Sequence, residues 1–69
     1  MERIPVSSTS LLSIGYDANS RILEVEFTRG AVYQYYDVPS DEYDSFIASN
    51  SKGQYFNSRI KNGYSCSQM

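Results

Sequence analysis

Arg21-Ile22-Leu23-Glu24-Val25-Glu26-Phe27-Thr28-Arg29-Gly30-Ala31-Val32-Tyr33-Gln34-Tyr35-Tyr36-Asp37-Val38-Pro39 reads as two strands joined by a tight connection. Successive side chains of a strand point to opposite faces. Leu23, Val25 and Phe27 therefore share one face, and Ile22, Glu24, Glu26 and Thr28 share the other. This is the half-buried pattern of an antiparallel sheet with one wet face. Ala31 to Val38 is the partner strand, and two registers are open to it. A two-residue loop, Arg29-Gly30, pairs Glu26 with Tyr33 and puts Tyr33 and Tyr35 on the wet face. A three-residue loop, Arg29 to Ala31, pairs Phe27 with Tyr33 and puts both tyrosines on the core face. One residue of slip exchanges the faces. Arg-Gly is a poor pair for a tight two-residue turn and Gly-containing three-residue loops are common, which favours the core-face register. Tyr36, Val32 and Val38 then lie on the opposite face, with Tyr36 the more exposed aromatic.

The flanking segments extend the pattern in both directions. Ser10 to Tyr16 forms a preceding strand with Leu12, Ile14 and Tyr16 on one face and Ser13 and Gly15 on the other. Asp17-Ala18-Asn19-Ser20 is a turn of residue types that bond their own backbone. After the hairpin, Val38-Pro39 ends the strand, because proline forces extended geometry on the residue before it. Ser40 reads as an N-cap, with Asp41, Glu42 and Asp44 in the first turn, where the helix dipole favours anions. Tyr43, Phe46 and Ile47 recur at i, i+3 and i+4, an apolar stripe on a first helix that ends near Ser49-Asn50. Ser51-Lys52-Gly53-Gln54 is a capping box that starts a second helix, with Asn62-Gly63 as its stop. Phe56 and Ile60 face the core, Gly53 on the same side permits close approach, and Tyr64 is expected to fold back as an anchor. The expected fold is α+β: a three-stranded antiparallel β-meander followed by two short helices packed on one face. Residues 1–9 read as a flexible N-terminal arm, 10–64 as a single domain, and 65–69 as a disordered tail.

Composition narrows the function. A chain of 69 residues buries only ~60% of the surface its unfolded form exposes, so its core is small. There is one cysteine, Cys66, and no histidine. The commonest general base and the commonest metal ligand are thus missing, along with Ser-His and Cys-His nucleophile pairs. Gly15, Gly30, Gly53 and Gly63 are isolated and form no phosphate loop. Glu24 and Glu26 share a strand face, but their simplest role is a solvated surface. A non-enzymatic protein without metal or cofactor is expected. No secretory leader and no apolar span of membrane length is present, so a soluble, cytoplasmic protein that avoids membranes is expected.

Net charge is −2 and the isoelectric point is about 4.8, a balance that weighs against nucleic acid. The distribution is uneven. Residues 1–50 hold eight acids and three bases, whereas 51–69 hold Lys52, Arg59 and Lys61 and no acid. Such asymmetry is a footprint of anionic partners. Aromatics beside cations can stack bases and hold phosphates. The candidate nucleic-acid-binding residues are therefore Lys52, Tyr55, Arg59 and Lys61, with Tyr36 on the sheet. The alternative is a protein–protein or self-association module that uses the exposed sheet face or a strand edge.

Several short motifs occur in one order: Val6-x-Ser8, Ile14-Gly15-Tyr16-Asp17, Leu23-x-Val25-x-Phe27, Tyr33-x-Tyr35, Val38-Pro39, Ser51-x-Gly53-x-Tyr55-Phe56-Asn57 and Ile60-Lys61. In this the chain resembles the KTSC domain family, named for a C-terminal extension of some lysyl-tRNA synthetases and found also as small stand-alone bacterial proteins. The resemblance spans about Val6 to Tyr64. It implies RNA, tRNA in particular, as a partner through that attachment, which is an argument by association. It implies no catalytic residues, and its motif residues double as turn, core, cap and helix-packing positions.

Overall fold

The computed structural model describes all 69 residues. Five antiparallel strands lie in chain order: β1 (Arg3–Pro5), β2 (Leu11–Asp17), β3 (Ile22–Phe27), β4 (Val32–Tyr35) and β5 (Cys66–Gln68). Helix α1 (Ser40–Ala48) and helix α2 (Lys52–Tyr55), which continues as a π-helical turn over Phe56–Ile60, connect β4 to β5. The α+β class is as the sequence implies, but the count of three strands is corrected to five. The arm at 1–9 contains β1, paired Ile4 to Ile14, and the tail at 65–69 contains β5, paired Gln34 to Ser67. Neither stretch alternates apolar with polar residues, so periodicity had nothing to detect. Both are edge strands of three residues. Shortness is a usual protection for an edge, and Pro5 removes a donor from β1.

Register decides which side chains reach the core. Val25 faces Tyr33 and Leu23 faces Tyr35, so both tyrosines lie on the core face. The connecting loop has three residues, but they are Thr28, Arg29 and Gly30: Phe27 donates its N–H to Ala31 and Gly30 donates back to Phe27. Gly30 supplies the positive φ of 99° that this turn requires. In β2 a bulge between Leu11 and Ser13 resets the alternation. Leu11 is thereby buried and Leu12 is turned outward, 48% exposed, which reverses the expectation for Leu12.

Helix α1 starts one residue earlier than its composition indicates. Pro39 is the N-cap, its carbonyl accepts from the N–H groups of Glu42 and Tyr43, and Ser40 makes no capping bond. Ser51 does cap α2, accepting from the Gln54 N–H at 3.3 Å. Gly53 lets the second helix approach the β1–β2 connection, since a Cβ there would sit 3.2 Å from the Ser10 hydroxyl oxygen. The π turn closes with the Lys61 N–H on the Phe56 carbonyl. Ser58 bonds back to the Gln54 carbonyl at 2.9 Å, the kind of contact that opens a helical turn. The helices cover one sheet face, and Phe46 and Ile60 are fully buried against Ile14, Leu23 and Val25. Tyr16 and Tyr43 stack at 4.6 Å between ring centroids, joining sheet to α1.

Candidate functional site

The other sheet face is polar and partly exposed, and its side chains bond one another. Gly15 lies opposite Arg3 on β1 and Glu24 on β3. A Cβ at Gly15 would meet the Glu2 carbonyl at 2.8 Å and the Arg3 Cγ at 2.9 Å, so only glycine lets Arg3 lie flat across β2. The Arg3 guanidinium then reaches Glu24, and its Nε donates to the Ser13 hydroxyl at 3.0 Å. Ser13 donates to Glu26 at 2.9 Å, and Gln34 donates to Glu24 at 3.0 Å. The Tyr36 hydroxyl meets Ser67 and Gln34, completing a ladder over all five strands. Glu24 is only 6% exposed. The Gln34 hydrogen bond, with the Arg3 hydrogen bond and charge, holds its carboxyl below the ordinary range against the opposing effect of burial. Glu24 is thus held in structural contacts and shielded from solvent, whereas Glu26 is bonded but partly exposed.

The residues singled out in the sequence fall into four places. Tyr55 and Arg59 converge on Glu42 of α1: the Tyr55 hydroxyl donates to Glu42, Tyr64 donates to its other oxygen at 2.9 Å, and the Arg59 guanidinium is 3.6 Å away. Arg59 also lies over the Tyr55 ring, 5.6 Å from its centroid. Burial and the Glu42 contact raise the hydroxyl pKa of Tyr55, and push that of Tyr64 up to about 12. This cluster clips α1, α2 and the approach to β5 together, as the fold-back of Tyr64 anticipates. Lys52 donates to the Ser49 carbonyl at 2.9 Å near the end of α1. Tyr36 belongs to the opposite sheet face. Only Lys61 stands free beside a concave surface.

That surface is a groove of about 390 Å³ between the β3–β4 end of the sheet and the second helix. Phe27, Tyr33, Tyr35 and Phe56 form its walls, and Arg29, Lys61, Asn57, Asn62 and Cys66 complete the lining with Ser10. The rings meet edge to face: Phe56 lies 5.3 Å from Phe27 and 5.6 Å from Tyr35, and Phe27 lies 5.8 Å from Tyr33. Arg29 stacks on the outer side of this cluster, 4.8 Å from the Phe27 centroid. Tyr35 is almost buried, and desolvation pushes its hydroxyl up to about 12. No carboxylate lines the groove, and neither Arg29 nor Lys61 is in an ion pair. Arg29 was legible only as a turn residue, and Asn57 only as a motif position; their convergence requires the hairpin, the second helix and β5 to be assembled.

Residues 7–64 match the family model described as the KTSC domain. The chain belongs to the KTSC domain family. A KTSC domain protein from Yersinia pestis, known from its crystal structure, is 42% identical and superposes with a TM-score of 0.94 over 99% of this chain and 96% of that one. A protein from Stutzerimonas stutzeri is 43% identical over 61 residues, 88% of this KTSC chain and 86% of the relative. A lysine–tRNA ligase from Nostoc punctiforme is 35% identical over 54 residues, which is 78% of this chain but 10% of the ligase. No helix of the KTSC chain is long and apolar enough to cross a membrane.

Proposed function

We propose that this KTSC domain is a non-catalytic RNA-binding module whose contact surface is the aromatic groove between the β3–β4 hairpin and the second helix. The observation that carries this reading is the lining: the partly exposed Tyr33 ring beside the buried rings of Phe27, Tyr35 and Phe56, with two unpaired cations and no acid in one concavity. Aromatic faces accept unstacked bases of any sequence, and adjacent cations hold the phosphates. The likeness to part of a lysine–tRNA ligase supports tRNA as the class of partner to test first.

Three of the eight acids are held within the fold and away from the groove. Glu24 and Glu26 face Arg3 on the far side of the sheet, and Glu42 faces Arg59 and two tyrosines. Of the cations outside these pairs, Arg29 and Lys61 line the groove, whereas Arg21 and Lys52 do not. The reading moves the centre of the surface from Tyr55 and Arg59, which serve Glu42, to Arg29 and Lys61.

The test is a titration of labelled tRNA at two salt concentrations, with the wild type and with Arg29→Glu/Lys61→Glu. Each phosphate contact on a single strand contributes about −0.7 to the slope of log K against log salt. The double reversal is expected to abolish binding at the higher salt while leaving the circular dichroism spectrum unchanged. Unchanged affinity and slope would refute the groove as the contact surface. Self-association through a strand edge is the alternative, and light scattering that shows a concentration-dependent dimer would favour it.

A further inference from the structure

A second depression adjoins the groove, and the two share Ser10 and Asn57. It has about the same size, roughly 370 Å³, and opposite chemistry: none of its ten lining residues is apolar. Hydroxyls come from the β1–β2 connection, Ser7 to Ser10, and amides come from Asn50, Gln54 and Asn57 on the facing side. Several of the hydroxyls already serve the fold. Ser8 accepts from the Ser10 and Leu11 N–H groups, and Ser51 accepts from Gln54. The amide side chains of Asn50, Gln54 and Asn57 are exposed and not engaged in this way. Lys52 is the basin's one cation.

The pairing of an aromatic compartment with a polar one has a natural occupant. An unpaired nucleotide presents a flat ring on one side and a sugar with hydroxyl and phosphate groups on the other. Two compartments that meet at Ser10 and Asn57 accept both halves at once. Amides donate and accept, as a ribose 2′-hydroxyl does, whereas a deoxyribose offers no such group. A duplex keeps its bases stacked inside and offers no ring face to the groove.

We infer that the groove and the polar basin form one composite site for unpaired ribonucleotides, the groove seating a base and the amides of Asn50, Gln54 and Asn57 reading the adjoining ribose. This rests on the RNA reading of the groove and adds to it a preference for single strands and for RNA over DNA. The experiment is an amide NMR titration of the full chain with a single-stranded RNA octamer, the DNA octamer of equivalent sequence and the RNA duplex. It is repeated with Asn50→Ala/Gln54→Ala/Asn57→Ala. The RNA octamer is expected to shift resonances in both compartments and to bind about tenfold more tightly than the DNA, in line with the loss of one or two hydrogen bonds. The triple variant is expected to lose that preference and keep the DNA affinity. Equal affinity for RNA and DNA, with shifts confined to the aromatic groove, overturns the composite site and leaves the groove reading standing. Duplex binding as tight as the single strand also overturns it. Absence of shifts with every probe overturns both readings.

Discussion

On the inner face of the sheet, Ile14, Leu23, Val25 and Tyr35 meet Phe46, Phe56 and Ile60 with no ion pair among them. On the outer face, Arg3, Ser13, Glu24, Glu26, Gln34, Tyr36 and Ser67 form a continuous polar ladder. The inner face derives its stability from area removed from water. The outer face keeps polar groups that are satisfied by one another, so its contribution depends on geometry and on completeness. Charge on the outer face is consumed within the fold, and charge at the rim of the inner face is left over. No carboxylate lies in the groove itself, although five acids elsewhere in the chain are in no ion pair.

Five sets of variants sharpen this contrast. The largest effect belongs to the inner face: Phe46→Ala removes a fully buried ring and is expected to cost about 3–5 kcal/mol in urea unfolding. For a domain whose whole stability is about 5 kcal/mol, that leaves the variant largely unfolded. On the outer face, Gly15→Ala is expected to cost about 1–3 kcal/mol, because the new Cβ displaces Arg3 and leaves Glu24 without its cation. Stability equal to wild type would mean that β1 does not cover Glu24. The same face should respond to acid. The folded-state pKa of Glu24 lies below its ordinary value of 4.5, so its contribution is present above that pH and is lost as pH falls through the lowered folded value. Glu24→Gln is expected to flatten the acid limb of the stability profile.

Glu42 offers a third comparison, a carboxylate on the helical side of the molecule. Glu42→Gln is expected to cost about 1–2 kcal/mol, since it weakens two tyrosine hydrogen bonds. Ultraviolet titration should show the Tyr64 hydroxyl falling below about 12 while burial, the larger cause, keeps it above its ordinary value. The sign in the wild type follows: a raised folded value means that stability is intact below pH 10 and declines as pH rises toward 12. An unchanged titration curve would detach Tyr64 from Glu42. The smallest effects on stability come from the groove. Arg29→Ala and Lys61→Ala, both at exposed positions, are expected to stay within about 0.5 kcal/mol of wild type. They should nevertheless weaken RNA binding more than Lys52→Ala, whose ammonium group is held by Ser49.

Much of this was legible from residues alone. The alternation of Leu23, Val25 and Phe27, the Ser51 cap and the core positions of Phe46, Phe56 and Ile60 follow from local periodicity and turn chemistry, whereas the strand expected to run to Val38 ends at Tyr35. Three features were not. The bulge that exchanges Leu11 for Leu12 has no composition of its own. The edge strands at Arg3–Pro5 and Cys66–Gln68 acquire order from the partners they meet, not from their own pattern. The ladder on the outer face depends on a glycine whose role appears only when Arg3 is laid across it. As for the site, Lys61 was legible as a cation without an acid near it in sequence. Tyr55 and Arg59 carried the same signal, but their contact with Glu42, seventeen residues upstream of Arg59, forms only after the two helices pack.

The π turn over Phe56–Ile60 has a consequence for alignment in space. Each residue of an α-helix advances the chain by about 100° around the axis. A helix that accommodates one extra residue in a wide turn keeps its buried stripe while shifting the phase of everything beyond it. Phe56 and Ile60 stay in the core on either side of the widening, and Lys61 and Asn62 emerge over the groove. The azimuth of those two side chains is thus a matter of chain length. A relative lacking one residue in this segment would carry the same core and aim its basic residue at a different part of the surface.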